Sequence, residues 1–200
     1  MKKTFKNRLA FMISAIFTPP LVVALAILAI GVYYSDRYEL FWLWVFAGIL
    51  LLIGPASIYV YVAYKKGKVS DINMSEREER LRPLIISLIG AIVVMWVLMD
   101  REAPKPLILL GMTLVSELVI IIFVTIFWKI SLHLLAFSSA VTLLAYLFNP
   151  LAVLLYVFLV PIGWARIYRK RHTLSQVVAG SLVGIIVVLA IFILFNYPSG

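Results

Sequence analysis

No cysteine occurs in this chain of 200 residues. Disulfide frameworks and thiolate metal sites are therefore excluded, and redox chemistry says nothing about compartment. No cluster of Asp, Glu or His has metal-ligand spacing either, so neither a metal nor another cofactor is expected. The three aspartates, Asp36, Asp71 and Asp100, stand isolated. That argues against prenyl transfer and CDP-alcohol phosphotransfer, which need paired aspartate motifs. The alternating strands of about ten residues that mark a membrane β-barrel are missing. So is any visible inverted repeat of the kind that builds many transporters.

What the chain has in abundance is apolar surface. Hydrophobic residues make up 64% of it. A soluble core has no room for that many apolar side chains, whereas a bilayer solvates them. The expected class is all-α: a polytopic integral membrane helical bundle of about six to seven transmembrane helices, forming one domain over residues 1–200. The basic N-terminus resembles a signal peptide, but its apolar stretch is too long and lacks a small-residue cleavage site. It reads as a retained first helix.

Seven apolar segments can be marked, at about Leu9–Tyr34, Leu40–Tyr64, Pro83–Met99, Leu107–Trp128, Leu132–Phe148, Leu151–Ala165 and Leu174–Asn196. Most reach the roughly 20 residues needed to cross hydrocarbon, while the third, fifth and sixth are short. Pro19-Pro20, Pro55 and Pro161 should kink or break their helices. Asn149-Pro150 reads as a tight turn joining two spans into a helical hairpin. Trp42, Trp44, Trp96, Trp128 and Trp164 fall near span ends, as interfacial anchors do.

The net charge is +9. Because the basic residues sit in short loops between spans, membrane lipids or phosphate ligands suit them better than nucleic acid, which is not an expected partner. With seven crossings, fifteen Lys and Arg fall on one side, against only Arg37, Arg101 and Lys105 on the other. The positive-inside rule then makes the N-terminus and the richly basic face cytoplasmic in a cell membrane. An even number of crossings separates Lys65–Arg82, Lys129–His133 and Arg166–His172. All three polar clusters are therefore expected at one membrane face.

Those clusters hold both histidines of the chain, His133 and His172. Arginine forks suit phosphate oxygens. A hydroxyl and the backbone N–H groups that open a helix add donors for the same oxygens. One imidazole can serve as nucleophile and the other as general acid to the leaving oxygen. The blander readings are also physical. Ser131 can be a helix N-cap, Arg82 an interfacial anchor, and Lys65, Lys66, Arg169, Lys170 and Arg171 topology signals. The run Ser75–Arg80 reads as an amphipathic surface helix, with Ser75 and Glu78 in a capping box. Glu117 falls near the centre of the fourth span, where an ionisable group is costly and a candidate for function. It lies roughly 24 Å along a straight helix from His133, which favours a packing role.

At these residues the chain resembles the type 2 phosphatidic acid phosphatase (PAP2) superfamily. Its first signature is a lysine, six residues, then Arg-Pro; here Arg82-Pro83 matches, Ser75 stands at the lysine position, and Arg77 or Arg80 is available as a replacement cation. Its second, Pro-Ser-Gly-His, is matched by Ser131 and His133 within Ile130-Ser131-Leu132-His133. Its third is Arg, five residues, His, three residues, Asp. Arg166 and His172 match, with Gln176 at the aspartate position. The resemblance covers residues 75–180.

It implies a metal-independent membrane phosphatase that hydrolyses a lipid phosphate or polyprenyl diphosphate through a phosphohistidine. His172 would be the nucleophile and His133 the acid. Gln176 would orient His172, while Arg82, Ser131 and Arg166, with Arg77 and Arg80, would bind phosphate. Gln176 can accept the imidazole hydrogen bond but supplies no charge. A catalytically impaired relative that binds or moves anionic lipids therefore stays open, as does a transporter using Glu117. Substrate headgroup, tail and oligomeric state are not read from the sequence.

Overall fold

The computed structural model describes residues 5–34, 41–72 and 76–196, and among these every regular element is helical. In chain order they are α1 (Phe5–Ile16), α2 (Pro19–Tyr34), α3 (Phe41–Lys65), α4 (Leu81–Asp100), α5 (Lys105–Phe127), α6 (Leu132–Leu147), α7 (Leu159–Tyr168) and α8 (Leu174–Leu194). A 3₁₀ segment, Pro150–Phe158, leads directly into α7. Five of these stretches are long and apolar enough to cross a membrane, and a sixth if α1 and α2 count as one span bent by 45°. The side chains agree: Leu50, Val160 and Leu194 are each about 70% exposed, a cost in water that hydrocarbon removes.

The prolines act unequally. Helix α2 begins at Pro19 itself, so the Pro19-Pro20 pair breaks the first span as expected. Pro55 instead lies inside an unbroken α3. Pro161 falls in the first turn of α7, just past its junction with the 3₁₀ segment. The sixth span is longer than expected, because the 3₁₀ segment and α7 together run Pro150–Tyr168, 19 residues. Only α6 stays short, at 16 residues.

The contacts divide the chain into two compact units, Met1–Ala26 with Lys129–Gly200, and Ile27–Trp128. In the first unit, α6 and α8 run parallel. Gly180 abuts Ser131 near the start of α6, Gly184 abuts Leu135, Ser138 and Ser139 one turn on, and the Tyr146 and Phe192 rings meet 4.4 Å apart at the far end. A side chain at either glycine would collide with α6: a Cβ on Gly180 would lie 2.5 Å from Ser131 O, and one on Gly184 2.5 Å from Leu135 O. This is close small-residue packing of membrane helices. The antiparallel α7 connects them through the Asn149-Pro150 turn, where Asn149 Oδ1 accepts the Leu151 N–H at 2.8 Å. Leu134, Phe137, Val141, Ile162 and Val177 fill the core between the three helices, with Phe17 edge-on to Phe137 at 5.2 Å.

The second unit holds α3, α4, α5 and the end of α2. Glycine again permits close approach, with Gly90 against the Leu51 carbonyl. The expected surface helix over Ser75–Arg80 is only a three-residue 3₁₀ turn, Glu78–Arg80, running straight into α4. Ser75 lies outside the described residues, so its capping box is not seen. Glu78 pairs instead with its neighbour Arg77 at 3.0 Å, and Glu79 accepts from Ser70 N at 2.7 Å and Ser70 Oγ at 2.9 Å. Glu117 is 4% exposed on the buried face of α5, in line with Thr113 and Thr125.

Candidate functional site

Helix α7 ends in a Schellman turn. The Lys170 N–H bonds the Ile167 carbonyl at 2.8 Å and the Arg171 N–H bonds the Arg166 carbonyl at 3.0 Å, with Lys170 in the left-handed region at φ 55°. Thr173 then N-caps α8. Only Arg169–His172 separate the two helices, so the spacing from Arg166 to His172 is fixed by two successive helix-end motifs. Arg166 is 2% exposed and His172 7%. Both are held at the junction rather than solvated.

Gln176 closes a capping box with Thr173: its Oε1 accepts the Thr173 N–H at 3.2 Å, and its own N–H donates to Thr173 Oγ1 at 3.4 Å. The same Oε1 lies 3.2 Å from His172 Nδ1. A backbone N–H can only donate, so the amide must turn its oxygen, not its NH₂, toward Thr173 and His172. In the neutral imidazole Nδ1 is then the protonated nitrogen, and Nε2 carries the lone pair. The amide thus selects the tautomer that a nucleophilic imidazole needs.

Helix α6 reaches the same place through its first residues. Ser131 donates its backbone N–H to the Gln176 carbonyl at 3.0 Å, which ties the start of α6 to the first turn of α8. Ser131 occupies the N-cap position, yet its side chain makes no cap bond. Its Oγ is fully buried and has no hydrogen-bond partner among the described residues. A buried orphan hydroxyl costs about 1–3 kcal/mol, and here it stands at the N-terminus of α6, an anion-binding geometry. His133, two residues on, is 6% exposed. His133 Nε2 and Arg166 Nε and Nη1 are also buried without a hydrogen bond, although both residues have other interactions.

Five of the residues expected from sequence, Ser131, His133, Arg166, His172 and Gln176, therefore belong to one end of the first unit. The other three lie in the second unit. Arg82 is exposed near the start of α4, Arg80 is buried in the 3₁₀ turn, and Arg77 gives Nε and Nη2 to Glu78 at 3.2 and 3.0 Å. Three further residues shape this end: Gly180 and Gly184, which carry a Gly-x-x-x-Gly spacing, and the Thr173 cap, which carries a Thr-x-x-Gln pattern.

The PAP2 superfamily model matches residues 123–199, a stretch that contains Ser131, His133, Arg166, His172 and Gln176. Comparison with curated proteins and with solved structures returned no match. The helical segment that builds this site is therefore the part of the chain that is similar to the PAP2 superfamily.

Proposed function

We propose that the protein is a membrane lipid phosphatase acting through a phosphohistidine on His172. Members of the family are generally phosphatases on phosphate esters. The observation that carries the reading for this chain is the buried Ser131 hydroxyl at the α6 N-terminus, joined through Gln176 to His172. Phosphoryl oxygens placed there would meet Ser131 Oγ, the first N–H groups of α6 and the Arg166 guanidinium.

In the first step Nε2 of His172 attacks phosphorus and the bridging P–O bond breaks. Its electron pair goes to the leaving oxygen, which takes a proton from His133. Water then attacks the phosphohistidine, giving its proton back to His133, and inorganic phosphate leaves. General acid help of this kind contributes about 10²- to 10⁴-fold. Arginine and helix N–H groups carry the charge neutralisation. The unit contains no carboxylate, and hard cations such as Mg²⁺ are held by carboxylates. By the charge count, the site end faces the cytoplasm.

Phosphate release from lipid phosphates and polyprenyl diphosphates by purified protein tests the reading. Wild type should turn over, and His172→Ala should abolish turnover. No release from any such lipid would sink the proposal. A second reading, an impaired relative that binds anionic lipids, is favoured by Gln176. A ³²P-labelled phosphohistidine, absent in His172→Ala, would exclude it.

A further inference from the structure

The two units share the formal charge unevenly. All nine acidic residues fall between Asp36 and Glu117, inside the second unit, where nine Lys and Arg balance them. The first unit has nine Lys and Arg and no Asp or Glu, so it carries the whole net charge of +9. Hydrogen bonds from these cations to neutral groups leave that charge in place.

The described cations of the first unit gather at one end. Arg166, Arg169, Lys170 and Arg171 close α7, and Lys129 precedes α6, whose start is tied to α8 through the Ser131 N–H and the Gln176 carbonyl. Residues 130–165 and 172–200, which run to the other end and back, contain no Lys, Arg, Asp or Glu. Helix α1 packs along α7, with Phe11 against Arg169 and Phe17 against Phe158 at 6.1 Å. The pairing of increasing numbers with decreasing ones makes the two helices antiparallel.

Arg169 differs from a loop cation that only signals topology. Its N–H bonds the Ala165 carbonyl at 3.2 Å, and its guanidinium lies over the Phe11 ring of α1, 5.2 Å from the centroid. A mobile lysine would orient the chain equally well, whereas a guanidinium held across two helices presents its donor fork in one place. Lys170, exposed, and Arg171 follow in the same turn. The flanking surface is apolar and aromatic. Trp164 stacks on Tyr168 at 5.2 Å, and Phe11, Ile16 and Val160 are each more than half exposed. Cations at the end of such faces match an amphiphile with an anionic head better than a free anion.

We propose that the α1–α7 junction is a seat for an anionic phosphodiester lipid of the surrounding leaflet, its phosphate on Arg169, Lys170 and Arg171 and its acyl chains along the exposed faces of α1 and α7. A phosphodiester has no terminal phosphate to lose, so this lipid is held and not consumed. The inference does not depend on the phosphatase reading. Its consequence for the inner site is mechanical, because Arg169–Arg171 is the turn between Arg166 and His172, and a lipid on that turn restrains it.

The test titrates the full chain in detergent micelles with phosphatidylglycerol or phosphatidylcholine of identical acyl chains, reading the Kd of the first bound lipid by native mass spectrometry. Wild type should bind phosphatidylglycerol about fivefold more tightly or better. Arg169→Gln/Arg171→Gln should bring the two lipids within about twofold of each other. Phe11→Leu keeps the charge but removes the ring, and should lose about threefold of the preference. Lys65→Gln/Lys66→Gln is the matched control, since Lys65 lies over Tyr61 at 5.7 Å in the charge-balanced unit; it should change nothing. No preference in wild type, or an equal loss in the control, would overturn the seat. A preference lost in the arginine variant but untouched by Phe11→Leu would reduce the effect to surface charge and overturn it too. Glycerol phosphate at matching concentration, an anion without tails, should not displace the lipid; displacement would assign these cations to a free anion instead. Phosphatidylglycerol should also raise the melting temperature of wild type and not that of the arginine variant. None of these readings needs turnover, so a failure to release phosphate would leave the seat standing.

Discussion

His172 Nδ1 and Gln176 Oε1 lie 3.2 Å apart, and the same oxygen accepts the Thr173 N–H. One amide oxygen thus caps α8 and holds the imidazole. It fixes the tautomer but would offer no charge to an imidazolium formed in the proposed phosphoryl transfer. In a comparable catalytic triad, loss of the carboxylate with retention of shape costs about 10⁴ in kcat. No residue of the first unit can make up that charge, because none is acidic.

Gln176→Glu keeps the length and the cap while adding the charge, and is expected to raise kcat for phosphate release by about tenfold or more. Gln176→Ala should lower kcat and also destabilise α8 by about 1 kcal/mol through loss of the capping box. Equal activity in the Glu, Gln and Ala forms would show that the contact is structural only.

Ser131→Ala separates ligand binding from folding. The hydroxyl makes no hydrogen bond within the described structure, so its removal should leave stability within about 0.5 kcal/mol or raise it slightly. Affinity for phosphate or vanadate should nonetheless fall by about tenfold, the worth of one hydrogen bond to an anion. Isothermal binding and thermal melts on the same sample distinguish the two effects. A large drop in melting temperature would return Ser131 to a capping role.

Much of this site was legible because its chemistry is carried by rare residues. Two histidines at fixed distances from Ser131 and Arg166 could be found in an apolar background. The Asn149-Pro150 turn and the Pro19-Pro20 break were equally visible, because proline and asparagine act through their own backbone. Pairings between distant segments were not legible. Nothing local to Ser131 says that Gly180 lies against its carbonyl, or that the N–H of Ser131 bonds the Gln176 carbonyl. The Lys170 turn was hidden because its left-handed position, usually glycine, holds a charged residue. The acid-free first unit was hidden because its two segments are joined only by the fold.

That left-handed Lys170 carries a stability expectation of its own. A non-glycine residue at φ 55° is strained by about 1–2 kcal/mol, so Lys170→Gly should stabilise the protein. For a chain of this size the melting temperature should rise by about 2–4 °C per kcal/mol. Thermal melts of the two forms check this, and an unchanged or lower melting temperature would show that the left-handed turn carries no strain.

Gly180 and Gly184 test whether the α6–α8 contact sets the site. A Cβ at Gly180 would stand 2.5 Å from the Ser131 carbonyl, and one at Gly184 would meet Ser138 Oγ and stand 2.6 Å from Ser139 Oγ. Backbone cannot yield as a flexible side chain can, so either Ala variant should destabilise by about 1–3 kcal/mol. The two should differ in what they do to chemistry. Gly180→Ala displaces the residue that carries the orphan hydroxyl and should reduce phosphate release beyond its effect on folding, measured at a temperature where the variant is fully folded. Gly184→Ala acts one turn deeper, beside Leu135 and Ser138, and should cost stability while sparing kcat once the protein is folded. Equal losses of kcat in both would mean that the helix pair moves as a rigid body, and that Gly180 has no special hold on Ser131.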